Sequence, residues 1–352
     1  ENRSIPYDEP KWDPTLFLED YLVLKSDWTK NAAYLMLSAK HWPTGSVSHD
    51  ENDQGSFLMY AKQAYLAVDP GYGQGGTFHE NVVKPWCRQG KYSHNMVMVD
   101  GGIPQARADV PTSTYTYGNS FFPENTFTTG FLDFAESKMT DWEYKINSNR
   151  NVITERRSVI FPRGSDYFIL VDDLESGLDT THEYSFILQG NSRHPYKDKY
   201  APGDFVYNPT KEDQMPLADN LSFIEDGGGK GGEWLVENME GKDVRFRGFF
   251  AAPAPDRLTL TASDGWLGYV TYYAARNRYL EAKVSDVRNT RYLVILYPDL
   301  VESSNDDAVI ERLVDDRLSG TRPDRGGARI SLRDGRVDRV VTQGAGNAGE
   351  CL

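Results

Sequence analysis

Short apolar bursts separated by turn-forming residues run through most of this chain. Tyr34-Leu35-Met36-Leu37, Ser56-Phe57-Leu58-Met59-Tyr60 and Ala64-Tyr65-Leu66-Ala67-Val68 are three such bursts near the start. Asn95-Met96-Val97-Met98-Val99 is a fourth and closes on Asp100-Gly101-Gly102. Bursts of this length, bounded by Gly, Asp or Pro, predict strands. The clearest hairpin joins Arg157–Phe161 to Asp166–Val171 through Pro162-Arg163-Gly164-Ser165. Further strands are predicted at Glu183–Leu188, Val244–Phe250, Arg257–Thr261, Tyr269–Tyr273 and Arg291–Tyr297, and a last hairpin at Ala328–Thr342 turns on Asp334-Gly335. One stretch has helical spacing: Asp306–Leu318 carries Val309, Ile310, Leu313 and Val314 behind an acidic start.

Many short strands with frequent turns predict an all-β fold, an antiparallel β-sandwich of two sheets. A second, smaller C-terminal β region and one short helix complete the expectation. Residues 1–20, with Pro6, Pro10 and Pro14, read as a lead-in. The run Gly227-Gly228-Gly229-Lys230-Gly231-Gly232 lacks the Lys-Ser/Thr ending and the strand-to-helix context of a phosphate loop. It reads as a flexible loop between a sandwich at 21–226 and a C-terminal region at 233–352. No internal repeat is visible.

Composition narrows the function. Apolar residues make up 39% of the 352, enough for a core. The 38 basic against 52 acidic residues give a net charge of −14, which argues against a nucleic-acid partner. No apolar run approaches the roughly 18–20 residues of a membrane span. The 21 Tyr and 7 Trp favour strands and are also residues that stack on sugars. The two cysteines, Cys87 and Cys351, are either unrelated thiols or a disulfide pinning the C-terminal tail in an oxidising compartment. Asn2-Arg3-Ser4 and Asn220-Leu221-Ser222 are glycosylation sequons, relevant only to a secreted protein. A start at Glu1 without Met suggests upstream processing.

Candidate chemistry gathers in the first hundred residues. His49, Glu51 and Asp53 share one face of an extended segment; Asp69 ends one strand and His94 opens another. A histidine and carboxylates at neighbouring strand ends are ingredients of a zinc-type site. Spacing alone fits solvated loop residues equally well. Lys84, Arg88 and Lys91 form a small basic group just before His94.

The ordered runs "HDENDQGSFLMYAKQAYLAVDPGYG", "SHNMVMVDG" and "RRSVIFPRGSDYFILVDDLES…HEYSFILQG" resemble the β-sandwich part of the heparinase II/III-like polysaccharide lyases, which include heparinase II and alginate and oligoalginate lyases. The likeness is good over roughly residues 20–190 and loose beyond. It implies β-elimination on an acidic, uronate-containing polysaccharide, in which the C5 proton is removed and the leaving glycosidic oxygen protonated. It also implies a secreted, periplasmic or cell-surface location. His49 falls on the substrate-facing histidine of the family's His-x-His pair, and Tyr72 on a tyrosine bordering the cleft. Glu51, Asp69 and His94 fall on metal ligands, implying one divalent metal: zinc, with calcium or manganese as alternatives. Glu51 stands where the family has His. That departure leaves two other readings open, a two-residue slip making His49 the ligand, or a metal-free site. His79 and Arg156 are further candidates for substrate contact, set against a plain surface His and cross-strand pairing with Asp or Glu; Arg157 shares both readings.

The resemblance also implies an N-terminal helical toroid that supplies the rest of the catalytic set, and no such stretch of helices is present in this sequence. An upstream or separate helical partner is therefore expected, and homo-oligomerisation is left open. The rival reading is a non-catalytic glycan-binding or structural extracellular protein derived from the lyase sandwich. A sandwich of another sugar-active enzyme fits the fold but not the ordered motifs.

Overall fold

A computed structural model describes residues 13–18, 21–39, 53–71, 92–102, 122–146, 149–195, 203–215, 219–270, 273–302, 308–313 and 326–342. Strands β1–β5 are Leu16–Phe17, Tyr21–Lys25, Tyr34–Ser38, Phe57–Ala61 and Ala64–Ala67, and they form one antiparallel sheet in chain order. Strand β6 is Val97–Val99; β7, β8, β9 and β10 are Phe122–Thr128, Leu132–Ile146, Asn149–Pro162 and Phe168–Ser176. Strands β11–β15 are His182–Gln189, Val206–Tyr207, Leu221–Asp226, Gly229–Glu237 and Asp243–Ala252. Strands β16–β18 are Thr259–Val270, Tyr273–Val287 and Thr290–Leu300; β19–β21 are Val309–Leu313, Gly326–Ser331 and Val337–Thr342.

The central element is an eight-stranded antiparallel sheet in the order β13-β14-β15-β18-β10-β9-β8-β7. A second five-stranded sheet runs β12-β17-β11-β6, with β16 paired on β17, and β19-β20-β21 form a three-stranded sheet. The period-2 alternation of β10 and β18 sends side chains to both faces. Phe168, Leu170, Tyr292, Val294 and Leu296 enter the main core with residues of both five-stranded sheets. Ile169, Leu293 and Ile295 face the other way and meet Ile310, Ala328 and Ile330 of the three-stranded sheet. Near-continuous apolar runs in β10 and β18 are what burial on both faces demands.

The sandwich expectation holds, and the structure corrects three details. Val309–Leu313 is a strand paired with β20, not part of a helix, and the described residues contain no α-helix. Ile310 packs into the second core while Val309 is exposed, so strand alternation prevails over helical spacing. The glycine-rich run is not a loop from end to end. Gly227 and Gly228 make the β13–β14 turn, and Gly229–Gly232 begin β14 inside the eight-stranded sheet. That sheet takes strands from both sides of the run. A Cβ on Gly229 would lie 2.2 Å from the Phe249 ring, so only glycine lets these strands approach. Finally, Tyr269–Tyr273 is not one strand: β16 ends at Val270 and β17 begins at Tyr273. Cys87, Cys351 and residues 1–12 lie outside the described residues, as do Lys84, Arg88 and Lys91. No helix among the described residues is long and apolar enough to cross a membrane.

Candidate functional site

Three chain segments meet at the open end of the β4–β5 hairpin. Gln54-Gly55-Ser56 leads into β4, Val68-Asp69-Pro70-Gly71 leaves β5, and Ser93-His94-Asn95 precedes β6. Gly55 at φ 79° and Gly71 at φ 73° make the turns, a backbone region where other residues are strained. Asp69 Oδ1 accepts from the Gly71 amide at 2.9 Å. Its Oδ2 faces His94 Nδ1 at 3.0 Å, with His94 2% exposed. With the proton on Nδ1, Nε2 becomes the ring's acceptor, so the carboxylate fixes the tautomer.

Asn95 joins these segments. Its Nδ2 donates to Phe57 O at 2.7 Å and Val68 O at 3.0 Å, and its Oδ1 accepts from the Gln189 amide at 2.6 Å. Its own amide donates to Ser56 Oγ at 3.1 Å. One buried side chain therefore ties the start of β4, the end of β5 and β11.

Beneath lies Arg157, fully buried on β9. Its Nε and Nη2 donate to the two Asp172 oxygens at 2.7 and 2.6 Å. Its Nη1 donates to Asn95 O at 2.8 Å and also to Gly55 O. The rings of Phe57 and Phe186 each lie 5.5 Å from the guanidinium. Such a cation is tolerable only with every donor directed, and here the fork faces Asp172 and two carbonyls. Glu155, also buried, has one oxygen 3.8 Å from Arg157 Nη2. Burial raises the Glu155 carboxyl to about 8; Arg157 opposes the shift and Asp172 adds to it.

Of the site residues expected from sequence, the structure brings Asp69 and His94 together. Arg156 goes elsewhere, to the solvent side of β9, where its Nε lies 3.2 Å from Glu124 and 3.6 Å from Glu136. His49, Glu51, Tyr72 and His79 lie outside the described residues. Among the described residues no group of three or more His, Cys, Asp or Glu gathers as a metal site. Asp69 and His94 together offer an oxygen and a nitrogen donor type of the kind a borderline divalent ion accepts. Asn220 of the second sequon is buried, and its amide donates to Asn191 O and Leu235 O, which leaves no room for a glycan.

Arg157 takes the cross-strand pairing that was one of its two expected readings, with Asp172 opposite on β10; its burial was not foreseen, although parity carried the signal. Ile153, Glu155, Arg157, Val159 and Phe161 alternate on one face, and the three apolar members mark that face as the core side.

A family model described as Heparinase II/III-like, C-terminal, matches residues 20–288. The heparan sulfate lyase HepC from Pedobacter heparinus superposes with a TM-score of 0.60 at 15% identity, covering 92% of this chain and 41% of that one. A heparinase III gene product gives a TM-score of 0.61 at 15% identity, covering 95% of this chain and 43% of that one. At such identities the likeness is one of fold. The chain spans about two fifths of the length of these lyases. No curated protein matches it in a sequence comparison.

Proposed function

The chain belongs to the Heparinase II/III-like family through its C-terminal domain, and on that premise we propose that it takes part in β-elimination of a uronate-containing polysaccharide outside the cytoplasm. The observation that carries the reading is the Asp69–His94 contact at a strand end that Asn95 and Arg157 lock to its neighbours. Preorganised groups of this kind need no rearrangement when charge develops on a substrate.

In this reading His49 and Tyr72 border the substrate, with His79 as an outer contact. His49 exchanges a proton with the sugar, either at C5 or at the leaving oxygen. Asp69, His94 and Glu51 would hold one divalent metal, zinc or else calcium or manganese, whose contribution is to fix the strand tips. Asp69 orients His94 through Nδ1 with or without it. A helical toroid, upstream or as a separate chain, supplies the remaining acid–base group.

The test is formation of the unsaturated uronate, followed by its ultraviolet absorbance, with an acidic polysaccharide and the helical partner present. His49→Ala abolishes it, and His94→Ala also removes bound metal measured by elemental analysis. Unchanged turnover in His49→Ala rejects the assignment. The second reading is a non-catalytic glycan-binding or structural protein derived from the lyase sandwich. It predicts binding of the polysaccharide with no absorbance change under any pairing.

A further inference from the structure

A cleft of about 510 Å³ opens at the other end of the β4–β5 hairpin. Lys62, in the hairpin turn, lines it. At the ~3.4 Å rise of a strand residue, Lys62 is about 20 Å from Ser56 and the Asp69–His94 pair. The other walls are the β9–β10 turn at Gly164–Tyr167, the β20–β21 turn at Leu332–Arg336, and the end of β18 at Tyr297–Leu300. Neither Asp69, His94 nor Arg157 is among the lining residues.

The chemistry of the walls is specific. Lys62, Arg333 and Arg336 face Asp166, Asp299 and Asp334, three cations against three carboxylates, so the lining carries no net formal charge. This contrasts with −14 for the chain. The charges are engaged with one another or with the wall behind. Lys62 pairs with Asp166, Arg247 holds Asp299 at 2.7 Å, and Arg336 lies 3.4 Å from Asp338. Between them lie apolar surfaces. Tyr297 is half-buried, with Tyr167 at 5.7 Å and the Arg247 guanidinium 5.1 Å from its ring centre, and Leu300 and Leu332 flank it.

A neutral lining has no Coulombic reason to collect phosphate or a polyanion. A rim of charged groups penalises a wholly apolar ligand. Pyranose rings meet both demands: a C–H face for Tyr297 and the leucines, and hydroxyls that donate to carboxylates and accept from Lys and Arg. The volume lies in the range of roughly 300–1,000 Å³ typical of ligand clefts, room for a stretch of oligosaccharide rather than an ion. We propose that this cleft is a second saccharide-binding site, which holds a glycan chain by its hydroxyls and ring faces at the opposite end of the hairpin from Asp69 and His94. It is independent of the lyase reading, since it needs no group from the strand tips. A polymer held here raises the effective concentration of its further residues along the same sandwich.

The test is affinity electrophoresis of the intact chain through gels containing heparosan, an uncleaved glucuronate–glucosamine polymer, or its carboxyl-reduced, uncharged form. Both polymers retard the chain to a similar degree. Tyr297→Ala and the exposed turn variant Arg333→Ala each weaken retardation by the reduced polymer about tenfold, the scale of one lost anchoring contact. His94→Ala is retarded as strongly as the unmodified chain. Circular dichroism confirms that Arg333→Ala is folded should Tyr297→Ala not be. The proposal is overturned by failure of the reduced polymer to retard the chain, by undiminished retardation of a folded Arg333→Ala, or by a loss confined to His94→Ala. Absence of lyase activity in the unmodified chain with its helical partner, together with retention of this binding, would remove the strand-tip reading and leave the cleft.

Discussion

At the scale of single residues, the adjacent arginines of β9 do opposite jobs. Arg157 is sealed in the core with Asp172, whereas Arg156 pairs at the surface with Glu124 and Glu136. Replacing Arg157 by Met strands a buried carboxylate and releases two carbonyls. It should lower stability by about 3–5 kcal/mol, measured by urea unfolding, whereas Arg156→Ala should cost no more than about 1 kcal/mol. Glu155 makes a second prediction. Its carboxyl is raised from the ordinary value to about 8 by burial, so between those two values the folded chain holds a proton that the unfolded chain has lost. Stability from this group is present below the ordinary carboxylate range and falls as pH rises towards 8. Glu155→Gln should remove a decline of at most about 1.4 kcal/mol per pH unit, seen by comparing urea midpoints of the two proteins between pH 5 and about 8. The candidate site was partly legible at this scale. Asp69 and His94 stood out as an acid and an imidazole at strand ends. Asn95 did not, because an amide reveals its purpose only when the carbonyls it serves are known, and of Arg157 only the pairing with an acid on the next strand was legible, not the burial.

At the scale of elements, close strand approach explains the least obvious sequence features. The indole of Trp234 lies over Gly190 and donates from Nε1 to Arg278 O at 2.9 Å. A Cβ at Gly190 would fall 2.0 Å from that nitrogen. Gly190→Ala should therefore cost about 1–3 kcal/mol by overpacking and shift the tryptophan emission, whereas Gly130→Ala, with open space around its Cβ, should change neither. Strands with inward Leu, Val and Phe, such as β3, β10 and β18, could be read directly. Strand β8 could not, because its inward set includes Asp133, Ala135 and Ser137 while Phe134 lies on the other face. Asp133 is buried for its partners: it accepts from Thr15 Oγ1 at 2.7 Å and Arg163 Nε at 2.8 Å. The segment at Val309–Leu313 failed for the converse reason. Its apolar spacing suits a helix, and only the neighbouring edge of β20 decides for a strand.

At the scale of the whole molecule, the chain's two halves share one sheet. Strand β18 pairs with β10 on one side and β15 on the other. It begins at Thr290, just beyond the last residue of the family match at 288. A chain cut at 288 should lose its cooperative unfolding transition and bind a dye for exposed apolar surface; a sharp native-like transition would contradict this arrangement. The order of synthesis adds something further. Until Thr290–Leu300 leaves the ribosome, the edges of β10 and β15 have only each other or a foreign strand to bond with. The rim of β10 therefore waits unzipped through the making of more than a hundred residues, and that of β15 through the stretch from Ala252 to Thr290, and a chaperone that shields those rims would do most for its yield.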